Sequence, residues 1–164
     1  MKISFSGGFF SASHFIVFEN GFCEPLHGHN FSVEAVLDAP LNAAGYAVDF
    51  LIVQEAVKDI LQPWQDRLLL PSKNESLSIQ RRKSQVEISH TQPDGSPLFW
   101  SIPAQHCVLL DVVNTTAEQL AQLIAQRLWE RLSGAAPLNW LEIHLEETQD
   151  CKAIYRIPSE DGDA

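Results

Sequence analysis

The 164-residue chain has few cations and no long apolar segment, and each shortage excludes a class of protein. Eleven Lys and Arg are set against 21 Asp and Glu, so the formal net charge is −10. Proteins that bind a phosphate backbone use basic surfaces, which argues against nucleic acid as a partner. The chain has no run of about 18 apolar residues, so no membrane-spanning helix is expected. A small anionic substrate is not excluded, because it needs only a local cationic pocket or a metal ion.

Cysteine is also scarce: the chain has only Cys23, Cys107 and Cys151. An odd number of widely spaced cysteines is poor material for a disulfide framework and fits a reducing compartment. Residues 1–6 carry one lysine and no apolar core long enough for a secretory signal, which predicts a cytoplasmic protein. The length predicts one domain, residues 1–158, followed by an acidic tail at 159–164 that we expect to be flexible.

Histidine, by contrast, is concentrated: three of the six histidines fall within 16 residues. His27 and His29 are two residues apart, so on a β-strand they point to the same face. His14 lies in another apolar, strand-like stretch. If the two strands pair, three imidazoles converge, and three histidines with one open position are typical of catalytic zinc. From the residues alone, core or surface histidines remain the alternative.

Alternating and helical hydrophobic patterns predict an α+β fold with a largely antiparallel sheet. In the second strand the register places His27 and His29 on the same inner face as Phe31 and Val33. Gly7-Gly8 predicts a bulge or a close backbone approach in the first strand. The predicted strands are residues 3–10, a stretch around 14–18, 31–37, a hairpin region within 76–102, 108–113, 138–147 and 153–157.

Two helices are expected between these strands. The first has Asp49 as its N-cap and runs to about Leu61. The second opens with a capping box of Thr115 and Glu118 and stops at Ser133-Gly134.

Five motifs in order carry a family resemblance: Phe10-Ser11-Ala12-Ser13-His14, Cys23 followed by His27-Gly28-His29, Val48-Asp49-Phe50, residues 114–121, and Glu147-Thr148 followed by Ala153-Ile154-Tyr155. On these motifs the chain resembles the 6-pyruvoyl-tetrahydropterin synthase and 6-carboxytetrahydropterin synthase family over nearly its whole length. The resemblance implies a tunnelling fold (T-fold), an antiparallel sheet with two helices on one face. It also implies a homo-oligomer, a trimer or hexamer, whose subunits together complete a barrel.

The resemblance also implies a metal site and a base. It makes His14, His27 and His29 the ligands of a zinc ion that holds the side-chain hydroxyls of a dihydropterin as a Lewis acid. Cys23 resembles the thiolate that abstracts a proton, and a nearby dication should lower its pKa. Glu24 matches a branch of the family that has Glu-x-x-His-Gly-His without the cysteine and cleaves the substrate side chain. The inert alternatives are a buried cysteine and a solvated loop carboxylate.

Two further residues are implied as substrate contacts. Glu147 corresponds to the carboxylate that accepts two hydrogen bonds from the N3–H and 2-amino edge of the pterin. Thr116 matches a threonine that helps to bind the ring at a helix start, although as bare sequence it is also an ordinary helix cap.

The sequence departs from the family just after the first helix. The family carries an Asp-His pair there that joins the cysteine in proton transfer, and this chain has Gln65-Asp66-Arg67. Losing a general acid–base group costs about 10²–10⁴-fold in rate. Three outcomes are open: Asp66 acts directly, His144 or another imidazole substitutes, or Glu24 serves as the base.

The resulting prediction is a zinc-dependent lyase acting on 7,8-dihydroneopterin triphosphate or a related dihydropterin. The reaction is either triphosphate elimination or cleavage of the side chain. The alternatives are a non-catalytic or altered-specificity homologue that binds pterin and zinc, and a zinc hydrolase with an unrelated substrate.

Overall fold

The computed structural model describes residues 1–158, so the predicted tail at 159–164 lies outside the described residues. Its elements in chain order are β1 (Lys2–His14), β2 (His27–Asp38), α1 (Phe50–Leu61), β3 (Arg67–Pro71), β4 (Ser78–Arg82), β5 (Gln85–Thr91), β6 (Pro97–Pro103), β7 (Cys107–Leu110), α2 (Ala117–Leu132), β8 (Trp140–Thr148) and β9 (Cys151–Ile157). Over this described range, no helix is both long and apolar enough to cross a bilayer.

The strands form two sheets. A six-stranded sheet has the order β7-β3-β1-β2-β8-β9, and a smaller sheet has the order β4-β5-β6. The large sheet is mixed, because β3 runs parallel to both β1 and β7. The expectation of a largely antiparallel sheet is confirmed, since β1, β2, β8 and β9 pair antiparallel, and the parallel pairings of β3 are the exception. Three consecutive leucines of β3, Leu68 to Leu70, are all buried, so the strand shows no alternation from which it could be predicted.

The first strand is longer than predicted and contains the expected irregularity. β1 runs without interruption to His14, while residues 15–18 leave it and keep only an isolated bridge between Val17 and Cys23. The pairing of β1 with β2 shifts register between Phe5 and Gly8, which confirms a bulge. At Gly8 the strand passes close to α1, because a Cβ atom there would lie 2.8 Å from Val57 Cγ1 and 3.0 Å from Val33 Cβ.

This close approach makes Gly8→Ala destabilising. The added methyl group meets a packed valine pair that cannot move without shifting α1 or β2, so we expect a loss of about 1–3 kcal/mol in the free energy of unfolding. Urea denaturation of both variants measures it. Gly134→Ala is the matched control, because no atom lies within 4 Å of a Cβ built at Gly134. Equal unfolding midpoints for the two variants would contradict the packing argument.

Both helices pack on one face of the large sheet. α1 lies against β1, and α2 lies against β8 and β9. The Asp49 side chain accepts a hydrogen bond from the Leu51 N–H, which confirms it as the N-cap of α1. Leu141, Ile143 and Leu145 of β8 are fully buried beneath the helices, as the alternation predicts.

The small sheet covers a second apolar core at the end of β1. Phe15 stacks on Trp100 of β6 with ring centroids 5.1 Å apart. Ile88 of β5 is fully buried there, and Cys23 belongs to the same cluster. The small sheet therefore packs against the segment that precedes the histidines of β2.

Candidate metal centre and adjoining cavity

The pairing of β1 with β2 brings the three histidines together. His14 lies directly opposite His27, and His29 follows on the same face of β2. One ring nitrogen from each histidine lies within 4.8 Å of the others. The rings of His14 and His29 also contact Phe31, with centroids 5.7 Å and 5.8 Å away. The predicted convergence on the inner face is confirmed.

The surroundings of His14 favour a neutral imidazole that can donate a lone pair to a metal ion. Its side chain is fully buried, and its Nδ1–H donates a hydrogen bond of 2.8 Å to the Thr115 carbonyl oxygen. Burial lowers the pKa of His14, opposed by the bond to Thr115 and by the Glu147 carboxylate. Its Nε2 is buried and makes no hydrogen bond. A buried imidazole nitrogen with a free lone pair suits a metal ion.

His27 and His29 supply the other two nitrogen donors, on the more exposed side of the cluster. His27 Nδ1 lies 2.9 Å from the Pro25 carbonyl oxygen, which leaves Nε2 as the acceptor nitrogen. The His27 and His29 side chains are partly exposed. Three imidazoles, one buried and two partly exposed, could therefore hold a metal ion with a position open towards solvent.

Glu147 lies beside this cluster. Its Oε1 is 3.2 Å from His14 Nε2 and 3.7 Å from His29 Nε2. The register of β8 against β9 shifts between Glu146 and Thr148, so Glu147 lies at a bulge near the end of β8. Glu147 also lines a cavity of about 650 Å³ together with Thr116. The carboxylate thus stands between the histidines and a space large enough for a small ring system.

Cys23 and Glu24 are placed very differently. Cys23 is 1% exposed and packs in the second apolar core. Burial raises its pKa to about 11, and the nearby Glu24 charge adds to the rise. This protein environment opposes the thiolate that the sequence predicts. Glu24 Oε1, in contrast, is buried without a hydrogen bond and lies 3.8 Å from His27 Nδ1.

Comparison with known proteins decides the family. The family model described as 6-pyruvoyl tetrahydropterin synthase matches residues 3–158. The chain belongs to this family. A provisionally named 6-carboxy-5,6,7,8-tetrahydropterin synthase of Methanocaldococcus jannaschii is 31% identical over 152 residues, covering 90% of this chain and 88% of that protein.

The family's solved structures share the fold. A crystal structure of Plasmodium vivax 6-pyruvoyl tetrahydropterin synthase superposes with a TM-score of 0.84 and 28% identity, covering 95% of this chain and 96% of that one. A variant of that enzyme, in which alanine replaces a glutamate described as a catalytic residue, matches equally well, at 27% identity with the same TM-score and coverage. The T-fold with two helices on one face of the sheet is therefore confirmed.

Within this synthase fold, Asp66 lies apart from the cavity that Glu147 lines. Its backbone has a φ of 57°, in the left-handed region, and its side chain accepts a hydrogen bond of 2.8 Å from Gln65 Nε2. Asp66 is exposed and lines a separate depression that includes Ser11 and His29. The structure of this one chain does not bring Asp66 to the cysteine or to Glu24.

The turn before α2 contains a residue whose role the sequence pattern missed. The N-cap of α2 is Thr116, whose hydroxyl accepts from the Gln119 N–H, so the capping box predicted at Thr115 was wrong by one residue. Thr115 is instead fully buried: its hydroxyl donates to the Phe15 carbonyl and its own carbonyl holds His14. No local sequence pattern marks this role, because the partners Phe15 and His14 lie about 100 residues away in the chain.

Proposed function

We propose that the chain is a zinc-dependent lyase acting on 7,8-dihydroneopterin triphosphate or a related dihydropterin. The observation that carries this proposal is the cluster of His14, His27 and His29 beside Glu147 at the edge of a cavity, in a member of the 6-pyruvoyl tetrahydropterin synthase family. Bound zinc would supply Lewis-acid polarisation of the substrate side-chain oxygens.

Glu147 would orient the substrate ring. A carboxylate can accept a pair of parallel hydrogen bonds from the N3–H and 2-amino group of a pterin, which fixes both position and direction. Thr116, at the start of α2, lines the same cavity and would also contact the ring.

Glu24 would abstract the proton from the substrate side chain, with Cys23 as the alternative. A carboxylate oxygen that is buried without a hydrogen-bond partner is free to accept a proton from a ligand. The raised pKa of Cys23 supports this choice, as does the glutamate described as catalytic in the Plasmodium vivax enzyme. Proton transfer beside the ring then leads to triphosphate elimination or to cleavage of the side chain.

The direct test is incubation of the zinc-loaded protein with dihydroneopterin triphosphate, with products separated by chromatography. Formation of a 6-pyruvoyl, 6-carboxy or 6-hydroxymethyl pterin product supports the lyase and distinguishes the reactions. Pterin binding without turnover, at micromolar enzyme over hours, would establish the non-catalytic homologue instead. The absence of the Asp-His pair motivates that second candidate.

Glu147→Gln tests the pterin contact. The amide can no longer accept both hydrogen bonds, so we expect the KM for the dihydropterin to rise about 10–100-fold, the loss expected for hydrogen bonds to a charged group. Zinc content should stay unchanged. Glu130→Gln, an exposed site on α2, is the matched control. An unchanged KM would contradict the contact between Glu147 and the pterin ring.

The proposal includes assembly. β7 and β9 are the outer strands of the large sheet, and an unpaired strand edge is a template for pairing with another chain. A homotrimer or hexamer would cover both edges, and light scattering coupled to gel filtration measures the mass.

A further inference from the structure

A side chain that follows the small sheet's strand β5 holds the segment that carries Glu24. Gln92, just after β5, accepts a hydrogen bond of 2.9 Å from the Cys23 N–H through Oε1. The same amide donates one of 2.8 Å from Nε2 to the Cys23 carbonyl oxygen. One side chain thus satisfies both backbone polar groups of Cys23, as a neighbouring strand would.

Backbone pairing holds the opposite side of this segment. Cys23 forms an isolated antiparallel bridge with Val17, and the Glu24 N–H donates to the Ile16 carbonyl oxygen at 3.1 Å. Val17 is fixed in turn by Asn114, whose side-chain amide accepts from its N–H and donates to its carbonyl. The side-chain amides of Gln92 and Asn114 therefore form hydrogen bonds on the two outer sides of the bridge. In a regular sheet, neighbouring strands would form these bonds.

A second contact joins the small sheet to the same loop. His90 of β5 is 7% exposed, and its Nε2 lies 2.8 Å from the carbonyl oxygen of Gly21. Its Nδ1 lies 2.9 Å from the Ser76 carbonyl oxygen. The turn at Gly21 is thereby tied to β5, two residues before Cys23, and Gln92 completes the attachment two residues after His90.

We propose that Gln92 is a positioning residue that fixes the direction of the Glu24 carboxylate towards the histidine cluster by clamping the backbone of Cys23. The inference rests on the proposed lyase function, with Glu24 as the base. Gln92 lines neither the cavity at Glu147 nor the histidine cluster, so its effect acts through the loop. Without the amide, both backbone groups of Cys23 lose their hydrogen-bond partner. The loop can recover hydrogen bonds at the lowest cost in free energy by moving towards water.

Gln92→Met tests the clamp, because methionine keeps the length of the side chain and removes both hydrogen bonds. A displacement of about 1 Å in a reacting group can cost about 100-fold in rate, so we expect kcat to fall about 10–100-fold. KM should change less than about twofold, and zinc content should not change, because Glu147 and the histidines stay in place. Gln92→Glu keeps the acceptor for the Cys23 N–H but not the donor, so its kcat should lie between those of Gln92→Met and wild type.

The control is Gln80→Met, the same change at an exposed position of β4 whose side chain bonds only its neighbours Ser78 and Arg82. A loss of kcat in Gln92→Met but not in Gln80→Met supports the positioning role. Equal kcat in both variants would overturn it. A raised KM or a lower zinc content with an unchanged kcat would also overturn it.

Hydrogen exchange separates this inference from the lyase proposal. In Gln92→Met, peptides covering residues 19–26 should exchange faster while β4 to β6 keep their protection. If the wild-type protein turns over no dihydropterin, the proposed function fails, and exchange alone still decides whether Gln92 clamps the loop. Unchanged exchange at residues 19–26 contradicts the clamp whatever the activity.

Discussion

Glu24→Gln should lower kcat about 10²–10⁴-fold, the usual contribution of a general base. The amide keeps the size of the side chain but has no basic oxygen to accept the substrate proton. Glu24 Oε1 lies 3.8 Å from His27 Nδ1 and lacks any hydrogen bond that the substitution would break. The KM and the zinc content should therefore remain within about twofold of wild type.

Cys23→Ala is the companion measurement. The thiol is buried in an apolar cluster and its pKa is raised to about 11, so its removal takes away packing rather than a base. We expect kcat within about fivefold of wild type, against the 10²–10⁴-fold loss at Glu24, and a modest decrease in the free energy of unfolding. The opposite ranking, with Cys23→Ala inactive and Glu24→Gln active, would assign the proton transfer to the thiol.

His29→Ala should abolish both metal binding and turnover. It removes one nitrogen of the three-histidine cluster, yet it costs the fold little because the side chain is partly exposed. Loss of a Lewis acid that contributes several kcal/mol predicts a fall in kcat/KM of at least about 10³-fold. Elemental analysis after gel filtration should find about one zinc per wild-type chain and almost none in the variant.

Thermal unfolding gives a readout that does not depend on activity. A ligand that binds only the folded state raises the melting temperature with its concentration, so added zinc should stabilise the wild type and not His29→Ala. His106→Ala, an exposed histidine outside the cluster, should respond like wild type. Chelation of the wild type should remove activity, and zinc should restore it. Full activity of the zinc-free protein would contradict the metal site.

Local pattern was sufficient where one periodicity decides the structure. The His27 and His29 register, the Asp49 cap and the buried face of β8 follow from alternation or helical spacing, and the structure has all three. Strand β3 was missed because its four consecutive buried residues, Leu68 to Pro71, have no period, although its position between β1 and β7 makes the sheet mixed.

The sequence by itself determined the family, the helices and the convergence of the three histidines, because each depends on residues close together in the chain or on a simple strand pairing. Only the tertiary structure separated Cys23 from Glu24. The two side chains point in different directions. Which of them enters the apolar core depends on the small sheet, whose strand β5 begins 62 residues after Cys23 in the chain. The roles of Thr115 and Gln92 were likewise decided by contacts about 70 to 100 residues apart in sequence, which no local period records.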